Sequence, residues 1–132
     1  MLRLSVTPRG ALEVAHEGPE IGAHSALAPK FGPELENRGR IGLAVFSSEG
    51  CGLCRALAPA IAAFGNHPAV VLRTFDEEMD ADAWAATDVP GSPFAVALDS
   101  DGTVLAKGTF NTGAQLESVL AAAERRRGAV RA

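Results

Sequence analysis

Phe46-Ser47-Ser48-Glu49-Gly50-Cys51-Gly52-Leu53-Cys54-Arg55-Ala56-Leu57-Ala58-Pro59 joins an apolar run to a helical pattern, and it holds the only two cysteines of the 132-residue chain. Two cysteines placed at random in such a chain would stand three apart in about 1.5 % of cases, so the spacing carries information. Two intervening residues let both thiols meet on the first turn of a helix, close enough to bridge and open enough to be attacked. Upstream, Ile41-Gly42-Leu43-Ala44-Val45-Phe46 reads as a buried strand, and downstream Leu53, Leu57, Ile61 and Phe64 recur at helical spacing. The cysteines are therefore expected at a strand-to-helix junction.

That placement favours a redox-active dithiol. A purely structural disulfide closing so short a loop would restrict the unfolded chain little. A structural zinc site takes four ligands, and the chain offers neither a second cysteine pair nor ligand-like spacing among His16, His24 and His67. The competing reading is a non-enzymatic metal-binding or metallochaperone module.

The composition bounds the rest. A chain of this length with 47 % hydrophobic residues suits one core. Sixteen acidic against twelve basic residues give a net charge of −4, which argues against a nucleic-acid partner, and aromatics at 5 % leave little for stacking on bases. Arg125-Arg126-Arg127, the one basic run, is expected to be a solvated cap at a helix C-terminus. No apolar stretch approaches the roughly 20 residues of a membrane span, and Met1–Gly10 lacks a signal-peptide core. The chain reads as cytoplasmic, or as a piece from which a signal or anchor has been removed.

In chain order, Leu2–Val6 and Ala11–Val14 suggest a hairpin around Pro8-Arg9-Gly10, and residues 18–39 suggest an irregular connection anchored on the core by Phe31 and Leu35. The domain division expected is 1–38 as an N-terminal hairpin and extension, then 39–132. Strand 41–47 and helix 52–65 precede the β-branched run 69–75, read as a central parallel strand. The acidic stretch Asp76-Glu77-Glu78, with Asp80 and Asp82, leads into a short helix over 79–87 on which Trp84 packs. A divalent-metal loop is the alternative there, but it lacks the ordered ligand spacing. Strands 94–98 and 103–108 flank Asp99-Ser100-Asp101-Gly102, a hairpin signal, and Asn111-Thr112 caps a last helix to about Arg127 with a frayed tail beyond Gly128.

These features together resemble the thioredoxin-like proteins. The residues that carry the likeness are Cys51-Gly52-Leu53-Cys54, Pro59 five residues on, and Val89-Pro90-Gly91-Ser92-Pro93-Phe94 about forty residues after the motif, which looks like the family's cis-proline loop. The order β-α-β-α-β-β-α from Ile41 is that of an α/β thioredoxin fold, a central mixed sheet flanked by helices. Ala11–Val14, Gly18–Gly22, Ala106–Thr112 and Leu116-Glu117-Ser118 extend the likeness to the MauD-like branch of the TlpA-like redoxins.

The resemblance implies a thiol-disulfide oxidoreductase acting on protein thiols and disulfides, monomeric, without a cofactor or metal. It also implies an extracytoplasmic location, with a membrane anchor absent from this chain. Cys51, at the helix start, is the expected attacking thiol and Cys54 the resolving one, since a helix N-terminus lowers a thiol pKa. Ser92 and Pro93 would receive substrate, Pro93 in the cis form that proline alone readily adopts. Two departures from thioredoxin stand out: the buried acid before the motif falls on Val45, and the tryptophan before the first cysteine becomes Gly50. Glu49 is then the nearest carboxylate for proton transfer, or else an exposed loop charge. The Cys-x-x-Cys pair differs from a peroxiredoxin site, and the longer cysteine spacing and histidine of Sco-like copper proteins are not evident.

Overall fold

The computed structural model describes residues 17–131; the expected hairpin over residues 2–14 lies outside them. A four-stranded sheet runs through the middle of the molecule. Its strands are β1 (Ile41–Ser47), β2 (Val70–Asp76), β3 (Phe94–Leu98) and β4 (Val104–Thr109), in the spatial order β2-β1-β3-β4. β1 pairs parallel with β2 and antiparallel with β3, and β3 pairs antiparallel with β4. The helices are α1 (Pro33–Arg38), α2 (Gly52–Ala63), α3 (Ala81–Thr87) and α4 (Gly113–Arg131). This is the thioredoxin fold expected from the sequence.

Both faces of the sheet are covered, which is why β1 is apolar at every position through Phe46. Ile41, Leu43 and Val45 point to one side, where they meet Ile61 of α2 and Leu116, Val119 and Leu120 of α4. Ala44 and Phe46 point to the other, with Leu27, Phe31, Leu35, Phe75 and Ala83. There Phe46 stacks on Phe75 at 5.2 Å and meets Trp84 edge-on at 5.7 Å, while the Trp84 indole N–H donates to the Phe75 carbonyl. Trp84 is the packing residue that the sequence suggested.

Several boundaries differ from expectation for identifiable reasons. β2 is an edge strand among those described, not a central one, because an apolar run reports covered faces and says nothing of covered edges. The connection 18–39 contains a 3-10 turn, Ala28–Phe31, and the helix α1, which starts on Pro33 with Glu34 and Glu36 in its first turn and ends on Gly39 at φ 63°. α3 begins at Ala81, two residues late, since the Asp80 carboxylate accepts from the Asp76 amide and Asp76 accepts from Glu78 and Met79. That stretch is a set of interlocked turns. α4 continues to Arg131, because one glycine costs a helix only about 1 kcal/mol relative to alanine. The arginine run is consequently inside the helix and not a solvated cap: Arg126 donates to the Leu105 carbonyl and Arg127 to that of Gly39.

The N-terminal segment is bound into this frame. Gly22, Ala23 and Ser25 exchange backbone hydrogen bonds with Val104 and Gly102 at 2.9 Å, covering the start of the outer edge of β4. Gly102 has φ +91°, and a Cβ there would lie 2.6 Å from the His24 ring, so the hairpin requires glycine for both conformation and space. Phe31 lies against Gly42 of β1, where a Cβ would come within 3.0 Å of its ring. Phe31→Ala should therefore leave a cavity that the rigid strand cannot fill, lowering the unfolding free energy by about 3 to 5 kcal/mol in a urea titration.

Asp101 at the hairpin tip provides a pH test. The Thr103 amide donates to its carboxylate at 2.9 Å, and this bond, with the Thr103 hydroxyl and the nearby His24, holds the Asp101 pKa below the ordinary carboxylate value. A carboxylate depressed in the folded state stabilises the protein above its unfolded pKa, and the contribution is lost as pH falls through the folded one. Asp101→Asn should thus lower the unfolding midpoint at neutral pH, with the gap to the parent closing as the solution is acidified below the carboxylate range.

Candidate active site

β1 delivers the chain to the site. After Ser47, residues 48–50 turn the backbone and Cys51 takes an extended conformation, φ −90° and ψ 107°, as the N-cap of α2. Its Sγ accepts a hydrogen bond from the Cys54 amide at 3.0 Å, the part a serine or aspartate oxygen plays at other helix starts. Cys51 and Cys54 are joined as a disulfide with Cα atoms 5.2 Å apart. Cys51 is partly open to solvent, whereas Cys54 is 4 % exposed on the inner face of the helix. Pro59 lies further along α2, which passes through it to Ala63.

The opposing wall comes from the loop before β3. Because β3 runs antiparallel to β1 with Phe46 opposite Phe94, the residues just before Phe94 stand beside those just after Phe46. The Ser92-Pro93 peptide bond is cis, Pro93 is buried, and the Ser48 and Ser92 hydroxyl oxygens are 3.4 Å apart. The sheet thus brings together two segments more than thirty residues apart in the chain. Ser48 drew no attention in the sequence because a loop serine before a motif has no signature of its own.

A cavity of about 340 Å³ opens between these walls, lined by Leu53 from the motif, Ser92 and Pro93, Thr109 at the end of β4, Asn111 beyond it, and Glu17 from the N-terminal segment. Thr109 and Asn111 belong to the Ala106–Thr112 stretch that carried part of the family resemblance without a site role, and no local pattern marks Glu17. Lys107, 3 % exposed on β4, donates to the Glu17 carbonyl at 2.7 Å.

Glu49 is exposed; its carbonyl accepts from the Arg55 guanidinium, and among the described residues its carboxylate has no hydrogen bond to either cysteine. Val45 is fully buried, so the interior position where thioredoxins carry an acid is hydrocarbon here. His24 bridges to Thr103 at the β3–β4 hairpin, and His67 accepts the Ala69 amide in the turn entering β2. Strand directions put both at the end of the sheet opposite the cysteines. Among the described residues no group of three histidine, cysteine or acidic side chains is arranged to hold a metal, and no helix is long and apolar enough to cross a membrane.

No family model matches the chain. It is similar to the methylamine utilization protein MauD of Methylophilus methylotrophus, 29 % identical over 140 aligned positions that cover 85 % of this chain and 66 % of that protein. The MauD of Paracoccus denitrificans is 30 % identical over 144 positions, covering 88 % and 72 %. The chain therefore spans about two thirds of the length of these relatives. Among solved structures, Fasciola hepatica thioredoxin superposes with a TM-score of 0.60 at 26 % identity, over 65 % of this chain and 83 % of that one. The germline-specific thioredoxin Deadhead of Drosophila melanogaster gives 0.61 at 16 % identity, over 75 % and 96 %. A vicinal pair at the start of α2, bridged to each other and faced by a cis-proline loop, is a thiol-disulfide oxidoreductase centre, and the chain that carries it belongs to the MauD family of thioredoxin-fold proteins.

Proposed function

We propose that the chain exchanges disulfides with protein partners through Cys51 as the attacking sulfur and Cys54 as the resolving one. The observation that supports this order is the unequal setting of the two sulfurs, Cys51 reachable from solvent and hydrogen-bonded by the Cys54 amide, Cys54 buried. In the reduced protein the Cys51 thiolate would keep that amide and the positive end of α2, both of which favour the charged sulfur. It attacks one sulfur of a partner disulfide, and the other sulfur leaves as a thiolate. Cys54, deprotonated, then attacks Cys51 Sγ, which re-forms the Cys51–Cys54 bond and releases the partner's second thiolate. Two electrons pass to the partner, and the same steps run backwards when the partner is the donor.

Glu49, two residues before Cys51 and exposed, is the carboxylate best placed along the chain to relay the protons, since the interior route is closed by Val45. Substrate docks in extended form against the backbone of Ser92 and Pro93, adding a short strand-like contact next to the sulfurs. Residues 1–38 act as an extension of the redox domain 39–132. By likeness to the MauD branch we place the domain outside the cytoplasm, where protein disulfides persist, and we take it as monomeric.

Two experiments test this reading. Cys54→Ser should accumulate mixed disulfides with partner proteins through Cys51, visible on non-reducing gels, while Cys51→Ser should trap few; equal trapping by both would remove the assigned roles. For docking, a substrate peptide N-methylated next to its cysteine loses one backbone hydrogen bond, worth about 1 kcal/mol, and should be reduced roughly fivefold more slowly than the parent peptide. An unchanged rate would rule out a backbone contact at Ser92.

A further inference from the structure

We propose that the cavity beside the disulfide is a specificity pocket for a lysine or arginine side chain flanking the partner's reactive cysteine. This rests on the oxidoreductase reading above and adds the chemistry of the substrate to it. The cavity lies next to the motif, since Leu53 in its wall stands between Cys51 and Cys54 in the chain and Ser92, also in its wall, lies 3.4 Å from Ser48 hydroxyl to hydroxyl. Its volume of about 340 Å³ is at the small end for a ligand site, room for one long side chain and not for a folded segment.

The lining is mixed. Leu53 and Pro93 offer hydrocarbon, Thr109 and Asn111 offer neutral polar groups, and Glu17, which is exposed, offers a carboxylate at the solvent side. Among the described residues of that wall, Glu17 is the one that carries a charge, and it is acidic. A lysine or arginine has the matching profile, an aliphatic stem to lie on Leu53 and Pro93 and a cationic head to reach a carboxylate. An acidic neighbour would meet like charge, and an apolar one would leave the polar end unsatisfied.

The rim is held in place. Lys107 Nζ binds the Glu17 carbonyl, and the next residue, Gly18, lies so close to Phe94 that a Cβ would come within 2.7 Å of its ring. The surroundings favour the same partner. Glu49, Glu77 and Glu78 are exposed at this end of the sheet, where the Glu77 amide donates to the Ser47 carbonyl, so a basic surface is drawn toward the disulfide. Leu53 at 39 % and Met79 at 84 % are the exposed large hydrophobic side chains among the described residues, and strand directions put both at that end. They supply the apolar part of the contact.

The test uses three peptides that differ only in having Lys, Leu or Glu beside a single cysteine held as a glutathione mixed disulfide. The reduced protein should reduce the lysine peptide about two- to fivefold faster than the leucine peptide, the range an exposed ion pair supports, and the glutamate peptide slowest. Added salt should shrink the difference. Glu17→Gln should bring the lysine and leucine peptides to parity, and Glu17→Lys should reverse the order of lysine and glutamate. Equal rates for all three peptides with the parent protein, or a lysine preference that survives both substitutions, would overturn the pocket while leaving the dithiol chemistry intact. Failure to reduce even the neutral hydroxyethyl disulfide would instead remove the oxidoreductase reading, and the pocket with it.

Discussion

The pairing of Phe46 with Phe94 across β1 and β3 is the constraint on which the sulfur end of this protein depends. Because the two strands are antiparallel and in this register, the turn that leaves β1 and the loop that enters β3 emerge side by side. A slip of one residue would reverse which face each side chain meets, putting Ala44 and Phe46 among the residues of α2 and α4. Phe46 and Phe94 are both fully buried in the same cluster, so the register is defended by hydrocarbon burial on top of the ladder hydrogen bonds. The segments that carry Cys51 and Pro93 are thus positioned by two phenylalanines buried in the core.

At the site itself, local backbone geometry does electrostatic work. A cysteine at the N-cap of α2 places its sulfur where the first free amides of the helix point, and the hydrogen bond from Cys54 makes this concrete. Such a bond stabilises a thiolate more than a thiol, which is the basis on which Cys51 is proposed as the attacking sulfur. Val45 puts hydrocarbon where an interior carboxylate could have stood, which is why the proton route proposed above runs on the solvent side of the motif.

The segment before β1 contributes both to the core and to the wall of the cavity. Leu27, Phe31 and Leu35 complete the second core cluster, and Gly22 to Ser25 run along the start of β4, whose outer edge they cover. The same segment reaches the cavity at Glu17, anchored by a buried lysine whose charge is met by a backbone carbonyl. A buried lysine needs polar partners, and one of them here is the chain that forms the rim.

What the sequence determined by itself was the set of features that are local in the chain. The apolar run, the Cys-x-x-Cys spacing, the Asp-Gly turn and the Thr112 cap, which accepts the Gln115 amide, are each decided by neighbours within a few residues. Phe31 and Leu35 were legible as anchors because two large apolar residues in a polar stretch have few other places to go. The tertiary structure decided everything that joins distant segments: β2 at the edge of the described sheet, the arginines of α4 reaching the carbonyls of Leu105 and Gly39, and the meeting of Glu17, Leu53, Pro93 and Asn111 around one cavity. Periodicity reports whether a face is covered and not by what, so Glu17 carries no signal in the sequence, and the legible Leu53, Ser92 and Pro93 share a cavity with it only once strand order and register put them together.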